Sequence, residues 1–130
     1  MQRMPGPAFE IACLCAAWCR LCDDFAPVLR QGMAELQAAG VPLRWHWIDI
    51  EDEADLLGDL DIETFPTLVI ADARSVRFAG PLTPHPGTLR RVLRATVLEV
   101  REGTAWPAAV APVHEFVQRL RERQDDKPVD

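Results

Sequence analysis

The sequence has no cysteine beyond Cys22 and no apolar run that approaches the ~20 residues needed to cross a bilayer. The first absence excludes a disulfide-stapled framework, which would spread its cysteines to tie distant segments together. The second excludes a membrane-spanning helix. Positive charge is also short: 14 Lys and Arg stand against 20 Asp and Glu, a formal net charge of −6. A general nucleic-acid binder wants a basic face, so neither nucleic acid nor membrane is expected as a partner. Repeats and low-complexity tracts are missing too. Met1 to Pro7 holds two prolines and an arginine but no apolar core, and does not read as a signal peptide. What is there is ordinary for a globular protein: 130 residues, 48% hydrophobic and 26% charged, enough to bury one core. The expected address is the cytoplasm, unless a leader was removed before this numbering begins.

Strand and helix signals alternate along the chain. Ala8 to Leu14 is short, apolar and reads as a buried strand. Cys19 to Ala39 carries Leu21, Phe25, Val28, Leu29, Met33 and Leu36 mostly at helical spacing, closed by Gly40 with Pro42 beyond. Pro27 falls inside this helix and should kink it. Val41 to Ile50 predicts a second strand, Glu51 to Leu60 a short amphipathic helix, Thr67 to Ala71 a third strand and Ser75 to Ala79 a fourth, with a hairpin turn at Ala71 to Arg74. Gly87 to Val100 predicts a further helix. The expected fold class is α/β, a β-α-β-α-β-β-α mixed sheet with helices on both faces. It is expected to occupy residues 1–100. Residues 101–130 form a C-terminal extension: a linker that lies against the body through Trp106, a helix over Val113 to Arg123, and fraying at Asp125 to Asp130.

All the chemistry-bearing sulfur is in one place, since the four cysteines lie between Cys13 and Cys22. Cys19 and Cys22 are separated by two residues where the first strand ends and the long helix begins. Thiols so spaced can form a disulfide within one turn. The unpaired N–H groups of a helix N-terminus favour negative charge at Cys19, and Arg20 adds to this while Asp23 and Asp24 oppose it. Cys19 is then the nucleophile toward a substrate disulfide and Cys22 the thiol that resolves the mixed disulfide. Two residues apart on a strand, Cys13 and Cys15 share a face. Their side chains stand nearly parallel at ~6.6 Å, so a disulfide between them is disfavoured. Either both are small buried hydrophobes, or Cys13, under the Cys19–Cys22 pair, is a third redox thiol able to exchange with Cys22.

Several segments in order resemble the thioredoxin family, over roughly Ala8 to Arg94. Ala16-Ala17-Trp18-Cys19-Arg20-Leu21-Cys22 resembles its active-site segment, Pro27 its helix proline, and Trp47-Ile48-Asp49-Ile50 its second-strand ending. Phe65-Pro66-Thr67 resembles the cis-proline segment that enters the third strand, and Gly80 the glycine after the fourth. The resemblance implies a thioredoxin-like fold and thiol–disulfide exchange with protein or peptide substrates, without an organic cofactor. Electrons would come from or go to another thiol system. It also implies that Phe65, Pro66 and Thr67 line a substrate groove, with Phe65 offering backbone groups to an extended peptide. Trp18, Arg20, Leu21 and Cys13 would tune the pair.

The chain departs from the family pattern at three points. Arg20-Leu21 stands between the cysteines where typical thioredoxins have Gly-Pro, which leaves the direction of electron transfer open, because ~30 mV is worth ~1.4 kcal/mol for this couple. Cys13 aligns with the family's buried acid and Trp45 with its lysine partner, so the usual proton relay is absent. There is no room before Ala8 for the strand and helix with which typical thioredoxins begin. Two other classes stay open. Cys13-x-Cys15-x₃-Cys19-x₂-Cys22 could supply four thiolates to zinc or an iron–sulfur cluster. A redox-inactive binding module could use the Pro66 groove, although it would need neither cysteine. Of the histidines, His46 is expected to be structural, His85 exposed in its loop, and His114 on the extension.

Overall fold

A computed structural model of the chain describes residues 8–123. Four strands, β1 (Phe9–Cys15), β2 (Leu43–Asp49), β3 (Thr67–Ala71) and β4 (Val76–Pro81), form one sheet in the order β2-β1-β3-β4. β1 runs parallel to β2 and antiparallel to β3, and β3 is antiparallel to β4. The helices are α1 (Arg20–Ala38), α2 (Ala54–Leu57), α3 (Pro86–Leu93) and α4 (Ala111–Glu122). The central strands β1 and β3 are almost wholly buried and mostly apolar because both of their faces are covered, with Glu10 and Thr67 as the polar exceptions.

The two-residue period of β1 divides the interior into two layers. Ile11, Cys13 and Cys15 pack with Phe25, Leu29, Met33 and Leu36 of α1 and Leu89 and Leu93 of α3. Ala12 and Leu14 pack with Leu57 of α2 and Phe116, Val117 and Leu120 of α4 on the opposite face. Helices α1 and α3 approach closely at Gly32, where a Cβ would lie 2.8 Å from Leu89 Cδ2. Arginines bind α4 to the body. Arg119 donates from Nε to the Leu56 carbonyl at 2.7 Å and from Nη2 to the Leu57 carbonyl at 2.8 Å, which satisfies the end of α2. Arg44 donates from Nε to Glu10 Oε2 at 3.0 Å and from Nη2 to the Leu120 carbonyl at 3.0 Å. Glu10 also lies 2.8 Å from Nε2 of His46, so this buried carboxylate and imidazole satisfy each other inside the sheet. His46 is therefore structural. The carboxylate it meets was not foreseen.

Two helices are shorter than their sequence pattern suggests. Instead of spanning Glu51 to Leu60, α2 is a single turn. Asp49 Oδ1 accepts the N–H groups of Glu51 at 2.8 Å and Asp52 at 3.2 Å and so holds the segment before it in a turn. Gly58 then takes φ +58 and ends the helix. The helix expected over Gly87 to Val100 begins at Pro86, leaves α geometry after Leu93, and continues as a π-helical turn at Arg94–Leu98 closed by Glu99 N–H on the Arg94 carbonyl at 2.8 Å. Thr96 there donates its hydroxyl to the Val92 carbonyl at 2.7 Å, and Arg77 donates to the Thr96 carbonyl at 2.8 Å. Arg77 also stacks between Phe9 and Trp106, 5.0 Å from each ring, so Trp106 does lie against the body. The fraying expected at Asp125 to Asp130, and the character of Met1 to Pro7, lie outside the described residues.

Candidate active site

The chain leaves β1 at Cys15, turns, and enters α1 with Cys19 as the N-cap residue in extended conformation, φ −89 and ψ 114. Cys19 N–H donates to the Ala16 carbonyl at 3.0 Å, and Cys22 N–H donates to the Cys19 carbonyl at 3.2 Å. This tight entry folds the first helical turn back over the end of the strand. Cys19 is half-buried at the rim and Cys22 lies beneath it at 1% exposure, so one thiol can meet a substrate and the other is sheltered. Arg20 and Leu21 point outward in the same turn. Trp18 is 67% exposed and meets the Phe65 ring edge-on, centroids 5.5 Å apart. Phe65 precedes Pro66 through a cis peptide bond. The aromatic contact thus brings the Phe65–Pro66 segment up to the cysteine turn. The Pro66 carbonyl accepts from Leu82 N–H at 3.0 Å, which ties that segment to the end of β4.

Thr67 is placed differently. It is buried, its hydroxyl donates to the Thr64 carbonyl at 2.6 Å, and its side chain lines a cavity with Leu60, Ile62, Val69 and Val113 on the α4 side of the sheet. Thr67 pairs with Leu14, whose side chain lies on that face, so the Thr67 side chain does not join Phe65 beside the thiols.

Below the surface pair lie two more sulfurs. Cys13 and Cys15 are both buried in the layer that holds Cys22, with their Sγ atoms 3.4 Å apart, in contact rather than parallel and separate. Cys15 shares its hydrogen bond with Cys13 and lies near enough to Cys22 for each thiol to act on the other's titration. Its hydrogen bond with Cys13, and then its burial, push the Cys15 thiol far above the ordinary thiol range. Burial, followed by the nearby Cys15 thiol, pushes the Cys22 thiol up as well, against an opposing hydrogen bond from the Ala16 backbone. The sequence singled out Cys13 as the third thiol of interest. Strand periodicity cannot rank Cys13 against Cys15, since both share the face. Among the described residues, no group of three or more His, Cys, Asp or Glu side chains is arranged to hold a metal ion. No helix among them is long and apolar enough to cross a membrane.

A family model described as Thioredoxin matches residues 11–83. Among solved structures, the chain is similar to thioredoxin from Trypanosoma brucei brucei at 19% identity and a TM-score of 0.56, over 68% of this chain and 74% of that one. It is similar to Fasciola hepatica thioredoxin at 15% identity and a TM-score of 0.57, over 68% and 80% of the two chains. The germline-specific thioredoxin Deadhead of Drosophila melanogaster matches at 13% identity and a TM-score of 0.56, over 65% and 77%. No curated protein matches the sequence. At such identities the structural likeness is one of fold, and the mixed sheet with helices on both faces is thioredoxin-like.

Proposed function

The chain belongs to the thioredoxin family, and from that premise we propose that it exchanges disulfides with protein or peptide substrates through Cys19 and Cys22. The observation that carries this reading is the unequal placement of the pair: Cys19 at the rim on the helix N-cap, Cys22 buried one turn below. Cys19, as thiolate, attacks one sulfur of the substrate disulfide and expels the other as a thiol. Cys22 then gives up its proton and attacks Cys19 Sγ. A Cys19–Cys22 disulfide forms, the second substrate thiol leaves, and two electrons have passed from the protein to the substrate. The reverse sequence oxidises a substrate dithiol. Trp18 and Phe65 form the apolar rim a peptide would lie on, and the backbone at Phe65 would pair with it as an added strand. A thiol reductant or oxidant resets the pair. A cytoplasmic location, where such reductants are abundant, fits four clustered free thiols.

Two experiments test the reading. Equilibration in glutathione buffers, with free thiols counted by mass spectrometry, gives the potential of the pair. A value near ~−270 mV makes the protein a reductase, and one near ~−120 to −180 mV an oxidant or isomerase. Absence of any Cys19–Cys22 disulfide across that range sinks the proposal. In a disulfide-reduction assay, Cys19→Ser is expected to abolish turnover. Cys22→Ser should instead accumulate the substrate joined to Cys19, visible as an adduct mass. Turnover by either variant at the wild-type rate refutes the assigned roles.

A further inference from the structure

From the backbone groups along the outer edge of the sheet, we propose that β2 pairs antiparallel with β2 of a second copy of this chain. The two-fold axis passes at His46, and the dimer has one continuous sheet. This contact needs neither the thiols nor the substrate rim.

β2 ends the sheet, with β1 on one side and, among the described residues, no strand on the other. The Pro42 carbonyl accepts from Phe9 N–H at 3.1 Å, and Ile50 N–H donates to the Cys15 carbonyl at 2.9 Å. Even-numbered residues of this stretch therefore turn their backbone groups toward β1, and the alternation turns those of Leu43, Trp45 and Trp47 outward. A row of such groups is a template for another strand unless something blunts it. The opposite edge, β4, is blunted by a shift of register against β3 at Ile70 and Ala71 and by its Gly80-Pro81 end. β2 has no proline, no lysine and an unbroken register against β1. Its Arg44 is drawn away from the edge onto Glu10 and the Leu120 carbonyl.

The complement of this strand is the strand itself. Leu43-Arg44-Trp45-His46-Trp47-Ile48-Asp49 carries a tryptophan on each side of His46. Two-fold rotation at His46 keeps each face of the sheet on its own side and sets Trp45 opposite Trp47 of the second copy. Each such pair exchanges both backbone bonds, which satisfies the outward groups of both tryptophans. The Asp49 carbonyl is taken by Glu53 N–H at 3.0 Å, which leaves Asp49 N–H for the Leu43 carbonyl of the second copy. Trp45 and Trp47 are only half-buried against the α1 layer, so the cross-strand pairs extend their burial and add aromatic contact. No like charges meet, because Arg44 faces Ile48 and Asp49 faces Leu43. The His46 rings lean back toward β1, each 2.8 Å from its own Glu10. With the axis at Trp45 instead, Arg44 would face His46; with the axis at Trp47, Trp45 would face Asp49. The His46 register avoids both.

The test uses the reduced protein, so that no intermolecular disulfide contributes. Sedimentation equilibrium over ~1–500 µM is expected to show a reversible monomer–dimer equilibrium, because one strand edge is small beside the ~1,200–2,000 Å² of a tight interface. Amide exchange at Trp45 and Trp47 should be slow in the dimer and quicken on dilution, while Ile48, whose N–H faces β1, stays unchanged. Two double variants fix the register. Trp45→Lys/Trp47→Glu sets opposite charges across the His46 axis, and Trp45→Lys/Trp47→Lys sets like charges there. The first should associate at least ~tenfold more tightly. With the axis at Trp45 or Trp47, both variants oppose like charges and should not differ in this way. If either double variant fails to fold, the exchange measurement on the wild type still decides. A monomer at every concentration overturns the proposal, including one whose Trp45 and Trp47 amides are already protected within the chain. So does a dimer in which those amides exchange as in the monomer, or equal association by the two folded variants.

Discussion

At the scale of single residues, the proposed exchange turns on the proton that Cys22 holds. Resolution of a mixed disulfide needs the Cys22 thiolate, yet burial and the neighbouring Cys15 thiol raise its pKa well above the ordinary ~8.5 of a free cysteine. A thiol with a raised pKa is almost wholly protonated at neutral pH, so its thiolate fraction climbs about tenfold per pH unit and keeps climbing above ~8.5. Single-turnover resolution, followed by release of the second substrate thiol, should therefore accelerate about tenfold per unit from pH 7 to 9 without levelling. A plateau near pH 8 would show that another group takes the proton. The place of the pair at a strand-to-helix junction was legible in the sequence, and the structure puts Cys19 at the N-cap of α1 with Cys22 buried below it. Which strand cysteine acts on the Cys22 thiol was not legible. It depends on how the first turn of α1 folds back over β1, a tertiary fact, and the two strand cysteines are equivalent by period. Thr67 was named for a substrate groove together with Phe65 and Pro66, and its side chain lines the cavity on the α4 side beside Val69.

At the scale of elements, the β3–β4 hairpin shows how a single side chain organises a turn. Asp72 N–H donates to the Ser75 carbonyl at 2.9 Å, while Asp72 Oδ1 accepts from the N–H groups of Arg74 at 2.7 Å and Ser75 at 2.6 Å. Arg77 Nε completes the set at 2.7 Å from Oδ2. Partial burial would raise the Asp72 pKa, but these donors outweigh it and hold the carboxyl below the usual carboxylate range. A depressed folded-state pKa means stability that is present above the unfolded value of ~3.9 and is lost as pH falls through the folded one. Asp72→Asn should thus cost about 1–2 kcal/mol at pH 7, since its bonds are no longer charge-assisted. The difference should shrink at an acidic pH, as Asp72 itself takes up a proton. Urea titrations at both pH values check this, and an equal deficit at both would place the effect in packing. Residues 71–74 were readable as a turn for this reason, as was α1 from its apolar spacing. The extent of α2 and of the helix after Pro86 was not. Asp49, Gly58 and Thr96 act there through backbone bonds that hydrophobic periodicity does not register.

At the scale of the molecule, the sheet is a partition. The thiols and α1 occupy one layer, and α4 closes the other over Ala12, Leu14 and Val69. No family motif covers α4, yet Phe116 and Leu120 are fully buried, its Arg119 and Arg121 hold the end of α2 and the β3–β4 turn, and Arg44 of β2 donates to its Leu120 carbonyl. The extension thus supplies three of the nine buried residues of that layer. Packed layers communicate only through shared contacts, and two faces of a sheet share the backbone between them but not side chains. Phe116→Leu, which shrinks the α4 layer, and Cys15→Ala, which empties part of the thiol layer, should each destabilise by about 1–2 kcal/mol. Their effects should add to within ~0.5 kcal/mol in the double variant. Only a change felt unequally by the oxidised and reduced forms moves a reduction potential. Phe116→Leu is therefore expected to lower the unfolding midpoint while leaving the Cys19–Cys22 potential where it is in the wild type. Cys15→Ala changes the buried layer that holds Cys22 and should shift that potential measurably. Denaturant unfolding of the four proteins, with redox titration of each, decides the point. A coupling above ~1 kcal/mol, or a potential that follows Phe116, would mean that the sheet transmits strain between its faces. Helix α4 would then be part of the redox machinery as well as its support.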